Sequence, residues 1–340
     1  MKRLSGRVFL VVFGCLVVLV LSAAGGGSST GNGRVVFITN HYCGPRGFTD
    51  CGRSDVAVVN PDGSGLRLLT HTRSAARVSE FSPRWSRDRR QIAYLRPSVR
   101  SGPNGPGAQV WLMSADGTHQ RALTHLPRSR LFLDNVWGPA LDWAPNGRQI
   151  VFTDNINLYL ANVRTGAVTR LLLTGSFVGS PVWSPNGRWI AFLLYRRGGD
   201  PATQGSLGQI FLLSTATHRL QQITHFPQGY WPRDPAWSPD SGRIAFSYAT
   251  TPATYGVNLQ IGIGVINLDG THFQSLNASG FQPSWSPDGN WIVFSASNGR
   301  HVGHPYYGPV NLEVMKADGS SLHVITHVPD HTWKDSEPDW

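Results

Sequence analysis

Histidine is the residue type in this sequence best suited to holding a metal ion, and it occurs in two patterns. Four histidines each follow a Leu-Thr or Ile-Thr pair: His71, His125, His225 and His327. Another two, His301 and His304, have His-x-x-His spacing, but the loop "NGRHVGHPYYG" offers no carboxylate to complete a ligand set. We therefore expect neither a metal site nor another cofactor.

Carboxylates could supply acid–base chemistry or meet a cation. Asp234 and Glu337 each stand directly before the proline of a Pro-x-Trp sequence. Only three glutamates occur in the chain, so the supply of general acids is small. These two residues are the candidate carboxylates, and we assign no catalytic residue.

Arginine and aromatic residues supply the chemistry of recognition. The net charge is +10, and only three of the 30 basic residues are lysines. Many of the arginines fall in the longer segments between apolar runs, together with tyrosine and tryptophan, a composition typical of binding surfaces. The candidate binding residues are Arg96, Arg128, Arg130, Arg196, Arg197, Arg233, Tyr230, Trp231, Tyr306 and Tyr307. Solvated loops of ordinary charge are the alternative explanation.

A repeated unit must position these residues. The sequence Pro-x-Trp-Ser-Pro-Asp/Asn-Gly-x-x-Ile-Ala/Val-Phe recurs with variations around Trp85, Trp143, Trp183, Trp237 and Trp285. Its Ser-Pro-Asn-Gly part is a tight turn between two β-forming runs, which indicates a hairpin. A third apolar run, an Asp-Gly or Thr-Gly turn and a short run ending in Leu/Ile-Thr complete most of the units. Four strands per unit and a repeat of about 50 residues are typical of propeller blades.

The two ends of the chain complement each other. The first unit, from Arg34, has three of the four strands but lacks Pro-x-Trp, and Glu337-Pro-Asp-Trp340 supplies that missing strand. The predicted fold is therefore all-β: a six-bladed propeller of four-stranded blades, closed by pairing of the C-terminal strand with the N-terminal blade. The long segments should then lie on one face of the ring, with Asp234 and Glu337 near the channel mouth on that face.

These units resemble the WD40-like repeats of the TolB family, six-bladed propellers of the bacterial envelope, and the propellers of prolyl-oligopeptidase-type proteases. The resemblance rests on Pro-x-Trp-Ser-Pro-Asp/Asn-Gly and the Leu-Thr strand end, and it covers nearly all of 34–340. The second unit departs from it, with Arg87-Asp88-Arg89-Arg90 in place of Pro-Asp-Gly. Within 34–340 no Gly-x-Ser-x-Gly sequence occurs, so peptidase activity is not carried over.

The N-terminal sequence predicts export. A cationic start precedes the apolar run 8–24, so we interpret 1–24 as a signal peptide or an N-terminal membrane anchor. A Gly/Ser linker, 25–33, precedes the propeller at 34–340. The product would be secreted, periplasmic or anchored outside the cytoplasmic membrane. In such a compartment Cys43 and Cys51 would form a disulfide, with two free thiols as the alternative.

Two functions follow as hypotheses. The first is a non-catalytic binding or scaffold propeller that recognises an envelope protein or an anionic glycan through its arginine- and aromatic-rich loops. The alternative is a polysaccharide lyase or hydrolase working at the mouth of the channel. We expect no nucleic-acid partner, because the sequence contains no basic block or nucleic-acid motif.

Overall fold

A computed structural model describes most of the chain. The described residues are 32–42, 50–71, 80–97, 108–126, 140–195, 208–227, 229–250, 260–276, 278–297, 310–328 and 333–340. Over these ranges the chain forms 24 β-strands. The described ranges include no helix with the length and apolarity needed to cross a membrane.

The strands form six blades of four. Blade 1 takes β1 (Val35–Tyr42), β2 (Asp50–Val59) and β3 (Arg67–Leu68). Blade 2 is β4 (Phe81–Trp85), β5 (Gln91–Pro97), β6 (Ala108–Ser114) and β7 (Arg121–Ala122), and blade 3 is β8 (Leu141–Trp143), β9 (Gln149–Thr153), β10 (Asn157–Asn162) and β11 (Val168–Leu173). Blade 4 is β12 (Val178–Trp183), β13 (Trp189–Tyr195), β14 (Gly208–Ser214) and β15 (Leu220–Gln222), and blade 5 is β16 (Tyr230–Trp237), β17 (Arg243–Thr250), β18 (Gln260–Asn267) and β19 (Gln274–Ser275). Blade 6 is β20 (Phe281–Trp285), β21 (Trp291–Ser297), β22 (Val310–Lys316) and β23 (His323–Val324), and β24 (Trp333–Asp339) completes blade 1.

The C-terminal strand closes the ring. β24 pairs antiparallel with β1, in a register that joins Val36 to Asp339 and His41 to Trp333. One parallel pair, Val310 with Lys334, also connects β24 to blade 6. The predicted six-bladed, all-β propeller is confirmed, and closure removes the strand edge that an open array would expose.

The core lies between neighbouring blades. In each blade the second strand places an aromatic ring at the same buried position: Phe37, Tyr94, Phe152, Phe192, Phe246 and Phe294. Trp340 belongs to one buried cluster with Val35 and Phe37 of β1 and with Ile325, which directly follows β23. Because each sheet is covered on both faces, its strands are apolar runs without strict alternation.

In five blades the turn between the third and fourth strands ends in a glycine that packs against the preceding blade. Gly117 has φ +86°, and a Cβ there would stand 2.7 Å from the carbonyl oxygen of Leu69 in the preceding blade. Gly270 has φ +82° and lies equally close to the carbonyl of Ile223. Both the left-handed backbone and the close approach exclude a side chain, which explains the repeated glycine.

The Leu-Thr strand ends have a local hydrogen-bonding role. The Thr70 hydroxyl accepts a hydrogen bond from the Val56 N–H at 2.9 Å, and Thr224 does the same for Ile210 at 2.8 Å. These threonines therefore fasten the short fourth strand to the third, whose backbone would otherwise lack that partner.

Candidate functional site

The inner strands that line the central channel share a β-bulge. The residue three positions before the tryptophan has a left-handed backbone in five blades, at Ser82, Ser180, Asp234, Gln282 and Glu337, with φ between 49° and 57°. The strand register shifts at each of these bulges. Proline follows each left-handed residue, and its missing N–H is tolerated where a bulge interrupts the ladder. The Pro-x-Trp motif thus encodes a bulge that turns a polar side chain toward the next blade.

Those side chains form a first ring of bonds between blades. Glu337 accepts a hydrogen bond from the Ser82 N–H, and the Ser82 hydroxyl accepts one from the Ala140 N–H at 3.0 Å. On the other side, Asp234 accepts from the Gln282 N–H at 3.3 Å, and the Gln282 side chain accepts from the Glu337 N–H at 2.9 Å. This ring, the bulge ring, ties blades 5, 6, 1, 2 and 3 together.

A second set of bonds between blades involves the residues that directly precede the tryptophans, two positions after the bulge residues. Asp339 accepts from the Trp85 N–H and Asp142 from the Trp183 N–H, each at 2.7 Å. The Ser284 hydroxyl accepts from the Trp340 N–H at 3.1 Å. We call this set the tryptophan ring. Its carboxylates hold adjacent blades together, so much of the channel's polar chemistry has a structural role.

In the interior of the channel, the carboxyl groups outnumber the one buried arginine that interacts with them, Arg84. Burial raises the pKa values of Asp142 and Glu337 to about 7, against the opposing effect of the Arg84 guanidinium. Burial likewise raises the pKa values of Asp234 and Asp339. One oxygen of Asp234, Oδ1, is buried without a hydrogen-bond partner. Four carboxyls around one buried arginine favour protonation over full ionisation.

A cavity of about 340 Å³ opens at the end of the channel formed by the Trp-Ser-Pro turns. We call this end the tight-turn mouth and the opposite end the long-loop mouth. All six blades contribute to the cavity wall. Blade 2 supplies Arg84, Arg87 and Arg89, and the acids Asp142 and Asp339 face the same space.

Three predicted binding residues lie together on β16 of blade 5. Tyr230, Trp231 and Arg233 are consecutive on that strand apart from Pro232, and all three are half-buried. Tyr230 stacks on Phe226, with ring centroids 5.6 Å apart and an angle of 10° between the planes. The next residue along the strand, Asp234, belongs to the bulge ring.

Arg96 lies three blades away, across the ring, and it is engaged within its own blade. Its guanidinium forms an ion pair with Glu80, whose side chain is fully buried. It also lies over the rings of Trp111 at 4.5 Å and Tyr94 at 5.4 Å. Because a six-bladed ring places blades 2 and 5 on opposite sides, Arg96 and Tyr230 do not belong to one compact site.

The remaining predicted site residues lie outside the described residues. They are Arg128, Arg130, Arg196, Arg197, Tyr306, Tyr307 and Cys43, together with His301 and His304 and the whole of 1–31. The backbone of Cys51 lies in β2, but its pairing with Cys43 stays a prediction. Asp234 and Glu337 lie on inner strands, in the bulge ring described above.

The four repeated histidines are separated by the ring. His71, His125, His225 and His327 are exposed and follow the outer strands of blades 1, 2, 4 and 6. Among the described residues, no group of three or more histidines, cysteines or acids is arranged to hold a metal ion.

Several channel residues were not predicted from the sequence. Arg84, Asp142 and Asp339 occupy the position directly before the tryptophan, which is otherwise Val182, Ala236 or Ser284. That variability at a fixed place in the repeat was the available signal. It acquired meaning only when the inner strands met around one axis.

The whole propeller region matches a protein-family model described as the TolB beta propeller domain, across residues 26–340. The chain belongs to this family. Among solved structures, TolB from Acinetobacter baumannii superposes with a TM-score of 0.66 at 18% identity, covering 91% of this chain and 66% of that chain. At this level of identity the superposition shows the shared fold alone.

The chain is also similar to proteins described as a lyase and as a peptidase. Oligogalacturonate lyase from Vibrio parahaemolyticus superposes with a TM-score of 0.50 at 12% identity, over 85% of this chain and 78% of that chain. The uncharacterized peptidase YuxL of Bacillus subtilis is 23% identical over 220 residues, which are 53% of this chain and 31% of YuxL. The chain therefore matches less than a third of the length of that relative.

Proposed function

We propose that this TolB-like propeller is an exported, non-catalytic binding or scaffold module. In this proposal it recognises an envelope protein or an anionic glycan through the loops at the long-loop mouth. The net charge of +10 favours acidic partners by long-range attraction. The observation that carries the proposal is a preformed aromatic patch in blade 5 that includes Tyr230 of β16.

The aromatic patch consists of Phe226, Tyr230, Tyr248 and Phe273. Tyr248 meets Phe273 edge-on at 5.6 Å, and Phe273 is 41% exposed. Gly262 and Gly264 of β18 leave room for these rings, because a Cβ at either would stand within 2.7 Å of one of them. Rigid, partly exposed aromatic rings supply contact area at a small entropic cost, as binding surfaces require.

Site-specific photocrosslinking in intact cells tests the proposal. A photoreactive side chain at Trp231 should give a defined protein adduct, which mass spectrometry would identify. The same side chain at Arg164, exposed on blade 3, is the matched control. Equal adducts from both positions would contradict recognition at the long-loop mouth.

Charge reversal tests the contribution of the basic loops. Arg196→Glu with Arg197→Glu should weaken binding of the crosslinked partner, or of a uronate polysaccharide, by about tenfold, since two attractive charges become repulsive. Arg164→Glu with Arg170→Glu changes the net charge equally at exposed positions of blade 3. If both double variants bind alike, the basic loops do not recognise the partner.

A glycan-active enzyme is the alternative proposal. It is supported by Glu337, whose pKa is raised to about 7 by burial, in the range suited to a general acid. Incubation with uronate polysaccharides, followed by chromatography of the products, would test it. Cleavage that is lost in Glu337→Gln would replace the binding proposal with the enzymatic one.

A further inference from the structure

One turn at the tight-turn mouth departs from the other four. In blades 3 to 6 the second residue after the tryptophan is proline: Pro145, Pro185, Pro239 and Pro287. Blade 2 has Arg87 at that position. Two residues later it has Arg89 with φ 60°, at the position where Gly147, Gly187 and Gly289, and Ser241 in blade 5, take the same left-handed backbone. Blade 2 thus places two cations where the other blades have proline and a glycine or serine, and it keeps a backbone that arginine adopts only under strain.

Both guanidiniums are fixed at the cavity by contacts. Arg87 reaches past blade 3 and donates to the carbonyl oxygen of Pro185 in blade 4 at 2.9 Å. Arg89 folds over the Trp85 ring, 4.6 Å from its centroid, and donates to the carbonyl of Arg34. Each uses one N–H group in these bonds and retains others.

A third guanidinium lies deeper. Arg84 lines the cavity, is only 7% exposed and donates a hydrogen bond to its neighbour Pro83 at 2.9 Å. Within the described part of the chain, Arg84 forms no ion pair, in contrast to Arg96, which pairs with Glu80. Among the residues that line the cavity, three arginines face two acids, Asp142 and Asp339, so the lining carries a net positive charge even when both acids are ionised.

The opposite wall is apolar. Blades 4, 5 and 6 line it with Val182, Ala236, Pro235, Pro239 and Pro283. The cavity is therefore cationic on the side of blade 2 and apolar on the side of blades 4 to 6. A ligand that satisfies both halves has an anionic head and an apolar body.

We propose that the cavity at the tight-turn mouth is a binding site for a small anionic amphiphile. Its oxyanion would lie against Arg84, Arg87 and Arg89, and its apolar body against the proline-rich wall. Guanidinium groups bind carboxylates, sulfonates and phosphates through paired N–H donors. This site lies at the opposite end of the channel from the proposed partner surface, so the two can succeed or fail separately.

A pair of fluorescent probes tests the site. 8-Anilinonaphthalene-1-sulfonate carries an anionic head, and N-phenyl-1-naphthylamine has the same aromatic body without it. The sulfonate should bind the full chain more tightly than the neutral probe. In Arg87→Pro/Arg89→Gly, which restores the turn of the other blades, its affinity should fall about tenfold, as expected for the loss of one to two charge-assisted hydrogen bonds. The neutral probe should bind both proteins alike.

The control removes the same charge elsewhere. Arg164→Gln/Arg170→Gln lies on an exposed part of blade 3 and should leave sulfonate binding unchanged. A melting curve verifies that each variant folds, and Arg87→Gln, which keeps the backbone of the turn, replaces the double variant if that one does not fold. Unchanged sulfonate affinity in the folded turn variant would overturn the proposal, and so would equal affinity of wild-type protein for the two probes.

Displacement identifies the source of the ligand. Decanoate displacing the sulfonate would indicate a free carboxylic acid. A tripeptide ending in leucine would indicate a protein C-terminus, with its C-terminal amide as the control. Either result supports recognition of an anionic head on an apolar body. Equal displacement by acid and amide would overturn it.

Discussion

At the long-loop end of the channel the inner strands of five blades pass through a bulge, and the connections beyond them differ in length and sequence from blade to blade. At the tight-turn end the same strands finish in nearly the same Trp-Ser-Pro turn. Variable loops are suited to diverse partners, whereas a repeated turn makes any single departure conspicuous. The departure in blade 2 brings Arg87 and Arg89 to the cavity at this more regular end.

Closure is the feature on which both ends depend, and disrupting it should have the largest effect. Deleting Pro338 to Trp340 removes the buried Trp340 and the hydrogen bond that the Trp85 N–H donates to Asp339. We expect a loss of about 4 kcal/mol or more in the free energy of unfolding. Thermal unfolding followed by circular dichroism measures it. Leu322→Ala, at a side chain 52% exposed, is the control and should change stability by less than about 0.5 kcal/mol. A deletion variant that melts with the parent would mean that closure contributes little stability.

Arg96, near the long-loop end, tests whether a predicted binding residue instead stabilises the fold, because its contacts lie within its own blade. Arg96→Ala leaves the carboxylate of Glu80 buried without its ion pair, and Thr70 is then its remaining partner. We expect a loss of about 3 kcal/mol, measured by urea unfolding. Glu80→Gln in the same chain should recover part of that loss, and Arg188→Ala, at an exposed position, serves as the control. Additive effects of the two substitutions would contradict coupling between Arg96 and Glu80.

The two rings of channel carboxyls predict a dependence of stability on pH. Burial raises the pKa of Asp142 to about 7, so the folded state binds its proton more tightly than the unfolded state does. The stabilisation is complete below the unfolded pKa near 4 and is lost as the pH rises through 7. For one such group the free energy of unfolding should fall by about 2–3 kcal/mol between pH 5 and pH 8.

Neutral amides separate the contributions of the two rings. Asp142→Asn in the tryptophan ring and Glu337→Gln in the bulge ring each retain an oxygen that can accept the next blade's N–H. Each should flatten the profile in denaturant titrations from pH 5 to 8, with Asp288→Asn, in an exposed turn, as the control. A steep profile that persists in the double variant would assign the pH dependence to other groups.

Restoring the turn of blade 2 should have the smallest effect on stability. Proline at 87 and glycine at 89 suit the backbone already present, so each substitution should raise the free energy of unfolding by roughly 0.5–1 kcal/mol. The lost stacking of Arg89 on Trp85 offsets part of this gain, by about 0.5–1 kcal/mol. The melting temperature should be unchanged or slightly raised, whereas Gly187→Arg in blade 4 should lower it. A large destabilisation of the restored turn would show that the arginines serve stability.

Much of the fold could be predicted because the repeated residues determine turns and strand ends through interactions with their near neighbours in sequence. The turn at Ser184 to Gly187, the Asp-Gly turns and the Leu-Thr ends each have a local physical reason, and Trp340 completes the first blade by the same motif. The candidate site was less predictable. Asp234 and Glu337 were noticed as channel carboxylates, but their role in tying blades depends on bulges, and the ion pair of Arg96 depends on burial of Glu80. The sequence pattern does not encode either.

The sequence by itself determined the number of blades, the strands within each blade and the strand that closes the ring. These properties follow from turn residues and apolar runs that act over a few positions, and from a motif repeated at similar spacing. Only the tertiary structure decided which polar residues meet. Arg84, Asp142 and Asp339 are separated by up to 255 residues in sequence, and they share one cavity because six inner strands converge on a common axis.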